Sequence, residues 1–65
     1  MKQRFWIALV YDDESETGFY VEVEGADHQI KALLSMITRG TLMASMAYRA
    51  TCYNSEGFDV CSYQK

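Results

Sequence analysis

Proline is absent from this 65-residue chain, histidine occurs once and cysteine only twice. Each scarcity closes a route. Two cysteines are too few for a secreted disulfide scaffold, and the C-x8-C spacing of Cys52 and Cys61 is not that of a zinc knuckle, whose paired cysteines stand two to four residues apart. A lone imidazole, His28, has no placed nucleophile or carboxylate partner, so it is expected at the surface and no enzyme is expected. The longest apolar run, Phe5 to Tyr11, is far too short to span a bilayer. Lys2 and Arg4 before it resemble the start of a signal peptide, but the run ends in Asp12, Asp13 and Glu14 without a small-residue cleavage site. The expectation is a cytoplasmic protein with no membrane association.

Basic residues are missing where acids gather. Residues 12–27 hold Asp12, Asp13, Glu14, Glu16, Glu22, Glu24 and Asp27, seven of the nine acids, and no lysine or arginine. The net charge is −3. Non-specific nucleic-acid binding rests on cations that displace counterions from phosphates, so this pattern argues against nucleic acid and for a protein partner, a basic one. Apolar residues make up 49% and charged residues 23%, which is a folded composition. A chain of this size buries only about 60% of its unfolded surface and commonly needs a disulfide, a metal or a second subunit.

Periodicity supplies the elements. RFWIALVY, residues 4–11, reads as a strand apolar on both faces, and DDESETG as a turn. FYVEVE alternates, with Phe19, Val21 and Val23 on one side and Tyr20, Glu22 and Glu24 on the other, so residues 4–24 form a hairpin. Ile30, Leu33, Leu34 and Ile37 make one helical stripe. The spacing predicts a helix from an Asp27 N-cap to Arg39, closed by Gly40 in the left-handed conformation. Residues 41–53 read either as a strand or as a helical turn near Thr41–Ala44 leading into a strand.

Asn54-Ser55-Glu56-Gly57 suits a type I turn followed by a left-handed glycine bulge. In that register Asn54 lies opposite Phe58, Cys52 opposite Val60 and Thr51 opposite Cys61. An unbulged four-residue loop would pair Cys52 with Asp59 and split the apolar set. The cysteines then fall on opposite faces, as two reduced thiols acting as small hydrophobes.

The whole of residues 1–65 is expected to be one α+β domain: a four-stranded antiparallel sheet in ββαββ order, with the helix on one face. That covered face should collect Phe19, Val21, Val23, Met46, Tyr48, Cys52, Phe58 and Val60, and is assigned Phe5, Ile7 and Leu9 from the first strand, whose facing stays open because both its faces are apolar. Met36, Met43 and Met46 read as core filler. The opposite face carries Trp6, Ala8, Val10, Tyr20, Arg49, Tyr53, Cys61 and Tyr63 with no second helix to cover it. Trp6, Tyr20, Arg49, Tyr53 and Tyr63 are the candidate binding residues, since Trp, Tyr and Arg dominate interface hot spots. The expected function is a protein-binding module, self-associating as a homodimer, that occupies a surface on another protein. Its size and charge also suit a phage- or prophage-type inhibitor of a host protein. The alternative from another class is a single-stranded nucleic-acid binder that stacks bases on the same aromatics, without the basic, glycine and aromatic run of an RNA-recognition strand.

The acidic turn lacks calcium-loop spacing, and Gly18, Gly25, Gly40 and Gly57 punctuate turns rather than cradle phosphate, so no metal or cofactor is expected. FWIALVYDDESETGFYVEVE followed by DHQIKALLSMI resembles the N-terminal domain of HicB-type antitoxins, over about half the chain. The resemblance implies an antitoxin-type domain. The sequence departs from that pattern in lacking the proline-glycine-cysteine segment before the helix and a DNA-binding extension.

Overall fold

The computed structural model describes residues 2–65. Its elements are β1 (Lys2–Val10), β2 (Glu16–Glu24), α1 (Asp27–Ala44), β3 (Arg49–Tyr53) and β4 (Asp59–Gln64). The strands form one antiparallel sheet in the order β2-β1-β3-β4, and α1 packs over β3 and β4. This is the expected ββαββ, α+β architecture. The strand richest in apolar residues, β1, is central. Phe5, Ile7 and Leu9 turn towards the helix and are buried. Ala8, on the other face, is buried as well, although no element of the fold lies over that face and Trp6 and Val10 there are only half-buried.

Both hairpins close with the same loop. Tyr11 N–H donates to the Ser15 carbonyl at 2.9 Å and Glu14 N–H to the Tyr11 carbonyl at 2.9 Å. In the second hairpin Asn54 N–H donates to the Phe58 carbonyl at 2.9 Å and Gly57 N–H to the Asn54 carbonyl at 3.0 Å. The left-handed position is occupied by Gly57 (φ 88°) in one loop and by Glu14 (φ 69°) in the other. The expected opposition of Asn54 and Phe58 is therefore present, and the Asn54 carboxamide oxygen also accepts from the N–H groups of Glu56 and Phe58.

Beyond the turn the register departs from expectation. Tyr53 pairs with Asp59 but Cys52 pairs with Cys61, which leaves Val60 as an extra residue in β4. A bulge of this kind directs consecutive side chains to the same side. Val60 and Cys61 both pack on the core, and Tyr63 follows them to the helix side. The assignment of Cys61 and Tyr63 to the uncovered face is thus corrected, and the two cysteines stand directly opposite each other on one face. Phe58 and Met46, expected in the core, are 65% and 88% exposed.

The helix is longer than its punctuation suggests. Its N-cap is Ala26, whose N–H is held by the Gln29 side-chain oxygen at 3.0 Å, and Asp27 is the first helical residue rather than the cap. Gly40 lies inside the helix, on a side with no neighbour within 4 Å, so the missing side chain leaves no void. Continuing past it brings Leu42 into the core. The buried stripe is Ile30, Leu34, Thr38 and Leu42, while Leu33 is 41% exposed. Ser45 ends the helix: its N–H and hydroxyl donate to the Leu42 carbonyl at 3.2 and 2.9 Å, and its hydroxyl oxygen accepts from Ala47 N–H at 3.1 Å. Residues 41–44 are therefore the helical alternative, and the strand begins at Arg49.

The interior has two parts along the helix. Phe5, Ile7, Val23, Ile30, Leu34 and Cys52 form one cluster, and Leu9, Leu42, Ala47 and Ala50 the other. Thr38, fully buried, lies on the helical turn between Leu34 and Leu42.

Candidate functional site: the uncovered sheet face

Sheet register gathers three aromatic residues. Trp6 of β1 is paired with Tyr20 of β2 on one side and with Tyr53 of β3 on the other, so Tyr20, Trp6 and Tyr53 form a row across the sheet. All three share the face opposite α1, because they alternate with Ile7, Phe19 and Cys52. The ladder starts from the hydrogen-bonded pair Tyr11–Ser15 and alternates, which makes Trp6–Tyr20 a pair without mutual hydrogen bonds, the kind whose side chains approach most closely. Their ring centroids are 4.6 Å apart, edge to face. That geometry contributes about 0.5–1.5 kcal/mol beyond the area it buries.

Gly18 makes room for this packing. It pairs with Ala8, one step along the ladder, and a side chain there would run into the Trp6 indole and come within 2.6 Å of the Ile7 carbonyl oxygen. Trp6 occupies the space beside the glycine and is half-buried, whereas Tyr20 is 64% exposed. Arg4 completes the arrangement, its guanidinium 5.2 Å from the centre of the Tyr20 ring. A cavity of about 420 Å³ runs alongside the row, lined by Arg4, Trp6, Tyr20, Tyr53, Asn54 and Gly57 among others. Sequence reasoning named Trp6, Tyr20 and Tyr53 but missed Arg4, although its separation of two residues from Trp6 gives it the same facing.

The other two predicted residues lie elsewhere. Arg49 is on the same face but pairs with Val10 and Gln64, about 13 Å along β3 from Tyr53, and its guanidinium leans on Tyr48 at 5.8 Å. Tyr63 is on the helix face, beneath Arg39 at 4.7 Å. Between the row and Arg49 the face is polar, with the Thr51 and Ser62 hydroxyls hydrogen-bonded at 3.0 Å.

His28 is exposed, and among the described residues no three His, Cys, Asp or Glu side chains are grouped as metal ligands. The Asp13 carboxylate accepts from the Ser15 hydroxyl and N–H at 2.6 and 3.0 Å, and these bonds hold its pKa below the usual value. The Cys52 thiol is pushed up to about 11, first by burial and then by the neighbouring Cys61. The Cys61 thiol donates weakly to the Thr38 hydroxyl at 3.7 Å. Met36, Met43 and Met46, expected as core filler, are 72%, 69% and 88% exposed, the first two on the solvent side of α1. No helix among the described residues is long and apolar enough to cross a membrane.

The aromatic row thus lies on the uncovered sheet face of a two-layer α+β fold. Comparison with known proteins adds no relative to it: no protein family, no curated protein and no solved structure matches the chain.

Proposed function

We propose that this protein is a small acidic protein-binding module that occupies a surface on another protein and also self-associates, with the Tyr20–Trp6–Tyr53 row as its contact surface. The row carries the reading. It is a continuous band of hot-spot residue types, with an arginine at its rim, on a sheet face that no other element covers. The accessible surface of 4561 Å² is somewhat above the roughly 4,250 Å² expected for a monomer of this mass. A second copy would relieve part of that excess.

Self-association through the free edge of β2 is disfavoured by charge. That strand carries Glu16, Glu22 and Glu24 and no base, so pairing two copies edge to edge crowds six carboxylates onto one strand pair. The face is the better candidate for the homodimer. Size and acidity suit an inhibitor of the phage- or prophage-encoded kind acting on a host protein. A second reading, base stacking on the aromatic row, has one observation in its favour: aromatic residues side by side on a sheet with an arginine beside them. Glu22, adjoining Tyr20 on the same face, opposes phosphate.

Light scattering coupled to size-exclusion chromatography is the test. Association at micromolar concentration is expected, and Tyr20→Ala combined with Tyr53→Ala should weaken it at least about tenfold while leaving the far-UV spectrum unchanged. A wild-type monomer at high micromolar concentration would remove the homodimer, and undiminished association of the double variant would remove the face. Fluorescence anisotropy with labelled single-stranded RNA at low salt should show no binding; saturable binding lost in the same variant would favour the stacking reading instead.

A further inference from the structure

The two edges of this sheet differ. β4 is short, and its pairing is interrupted by the extra residue Val60. β2 runs for nine residues, Glu16–Glu24, with unbroken register against β1 and no proline. Natural sheets blunt long regular edges with bulges, prolines, cover or charge, and this one has only charge, its three glutamates, which repel a second copy but not a basic strand. In the alternating ladder set by Tyr11–Ser15, the backbone groups of Thr17, Phe19, Val21 and Val23 point to β1. Those of Gly18, Tyr20 and Glu22 point outwards, without a strand to receive them.

The side chains on the two faces of that edge are unlike. Because α1 lies over β3 and β4, the helix side of β2 is left partly open: Phe19 is 37% exposed and Val21 is half-buried. On the other side stand Glu16, Glu22 and Glu24, with the acids of the Asp12–Glu14 turn at one end. The cations nearest them, Lys2 and Arg4, lie across from Glu24 and Glu22 on β1, away from the open edge.

We infer that the edge of β2 receives an extended basic segment of a partner protein as a fifth, added strand. The backbone of Gly18, Tyr20 and Glu22 supplies the ladder. Alternate apolar side chains of the incoming segment cover Phe19 and Val21, and the intervening lysines or arginines face the glutamates. Main-chain bonds then give affinity and the alternation gives specificity, as in strand addition generally. This deepens the protein-binding reading by naming the partner chemistry for the acidic lobe, but it does not depend on the aromatic row.

The test uses an amide-capped peptide of about eight residues alternating lysine and valine, long enough to span β2. Titrated into the labelled protein, it should slow amide exchange at Gly18, Tyr20 and Glu22 by about tenfold or more at saturation. A glutamate–valine peptide should not bind, and Glu16→Lys combined with Glu22→Lys should reverse the preference between the two. A lysine–valine peptide N-methylated at its lysines, the residues that pair with Gly18, Tyr20 and Glu22, keeps the charge but removes the ladder donors. Its binding as tightly as the parent, or protection elsewhere than Gly18, Tyr20 and Glu22, overturns the proposal in favour of plain electrostatic attraction; absence of binding by the parent peptide overturns it as well. The Tyr53→Ala variant should bind the peptide as the wild type does. A protein that stays monomeric yet binds the peptide retains the edge and loses the dimer, and one that dimerises but ignores the peptide does the converse.

Discussion

Replacing Glu14 by glycine should make this protein more stable. Glu14 holds φ at 69° in the first hairpin loop, the position that Gly57 fills in the second at φ 88°. A side chain in the left-handed conformation costs about 1–2 kcal/mol through the approach of Cβ to the backbone. Glycine removes that cost but brings about 0.5–1 kcal/mol of additional chain entropy to be lost on folding. The difference favours the variant by about 0.5–1 kcal/mol, which for a domain of this size raises the melting temperature by roughly 2–8 °C. Thermal unfolding followed by circular dichroism measures it. Because Glu14 also sits among acids, Glu14→Gln is the necessary comparison: it removes the charge and keeps the strain. The reciprocal change, Gly57→Ala, is unusually clean, since nothing lies within 4 Å of the added carbon and only the backbone penalty remains. It should lower the melting temperature by a similar interval. If Glu14→Gly melts no higher than Glu14→Gln, or Gly57→Ala melts with the wild type, the loop argument is wrong.

The remaining predictions concern the cysteine pair and Asp13. Cys52 and Cys61 are directly opposed, at the separation where cross-strand Cβ atoms approach a disulfide's reach. Diamide should therefore take one hydrogen from each thiol and join them within one chain, and closing a loop of about ten residues should add up to about 3 kcal/mol; intermolecular products on a non-reducing gel would contradict the pairing. In the reduced protein, alkylation at neutral pH should mark Cys61 first, since the buried Cys52 thiol is held protonated up to about 11. As its pKa is raised by folding, its contribution to stability is complete below the ordinary value of 9.0 and is lost as pH rises through about 11. Asp13 behaves in the opposite sense: its folded pKa is depressed, so its contribution is present above the ordinary value of 3.8 and fades as pH falls through the lower folded value. Carboxyl NMR titration should show Ser15→Ala returning Asp13 towards 3.8, because the Ser15 hydroxyl is the main cause of the shift.

Most of the architecture was legible because the signals were redundant. Alternation in FYVEVE, the helical spacing of Ile30, Leu33, Leu34 and Ile37 and the Asn54–Gly57 turn each point to a single local structure, and each element is present, though Leu33 lies outside the buried stripe. The errors arose where one local rule met a larger burial term. Gly40 reads as a helix stop, but it faces solvent, and carrying the helix past it buries Leu42. Val60 and Cys61 are both apolar, so no break in pattern announces that they share a face. That single extra residue moved Tyr63 out of the candidate site and brought the cysteines together. Trp6, Tyr20 and Tyr53 could be gathered because no irregularity lies between them and the centre of the sheet. Their joining into a row required the strand order β2-β1-β3, which periodicity does not contain.

The central place of β1 sets a schedule for synthesis. Its pairing with β2 is complete once residue 24 has left the ribosome, but its second partner begins only at Arg49. At about 5–20 residues per second, β1 stands with one open flank for roughly 1–5 s. During that interval the flank that will receive Ala50 and Cys52 is an apolar strand edge able to pair with any neighbouring nascent chain. The acids of the first turn and of β2, all made by then, charge the half-built sheet negatively. On two unfinished copies those like charges oppose edge-to-edge pairing.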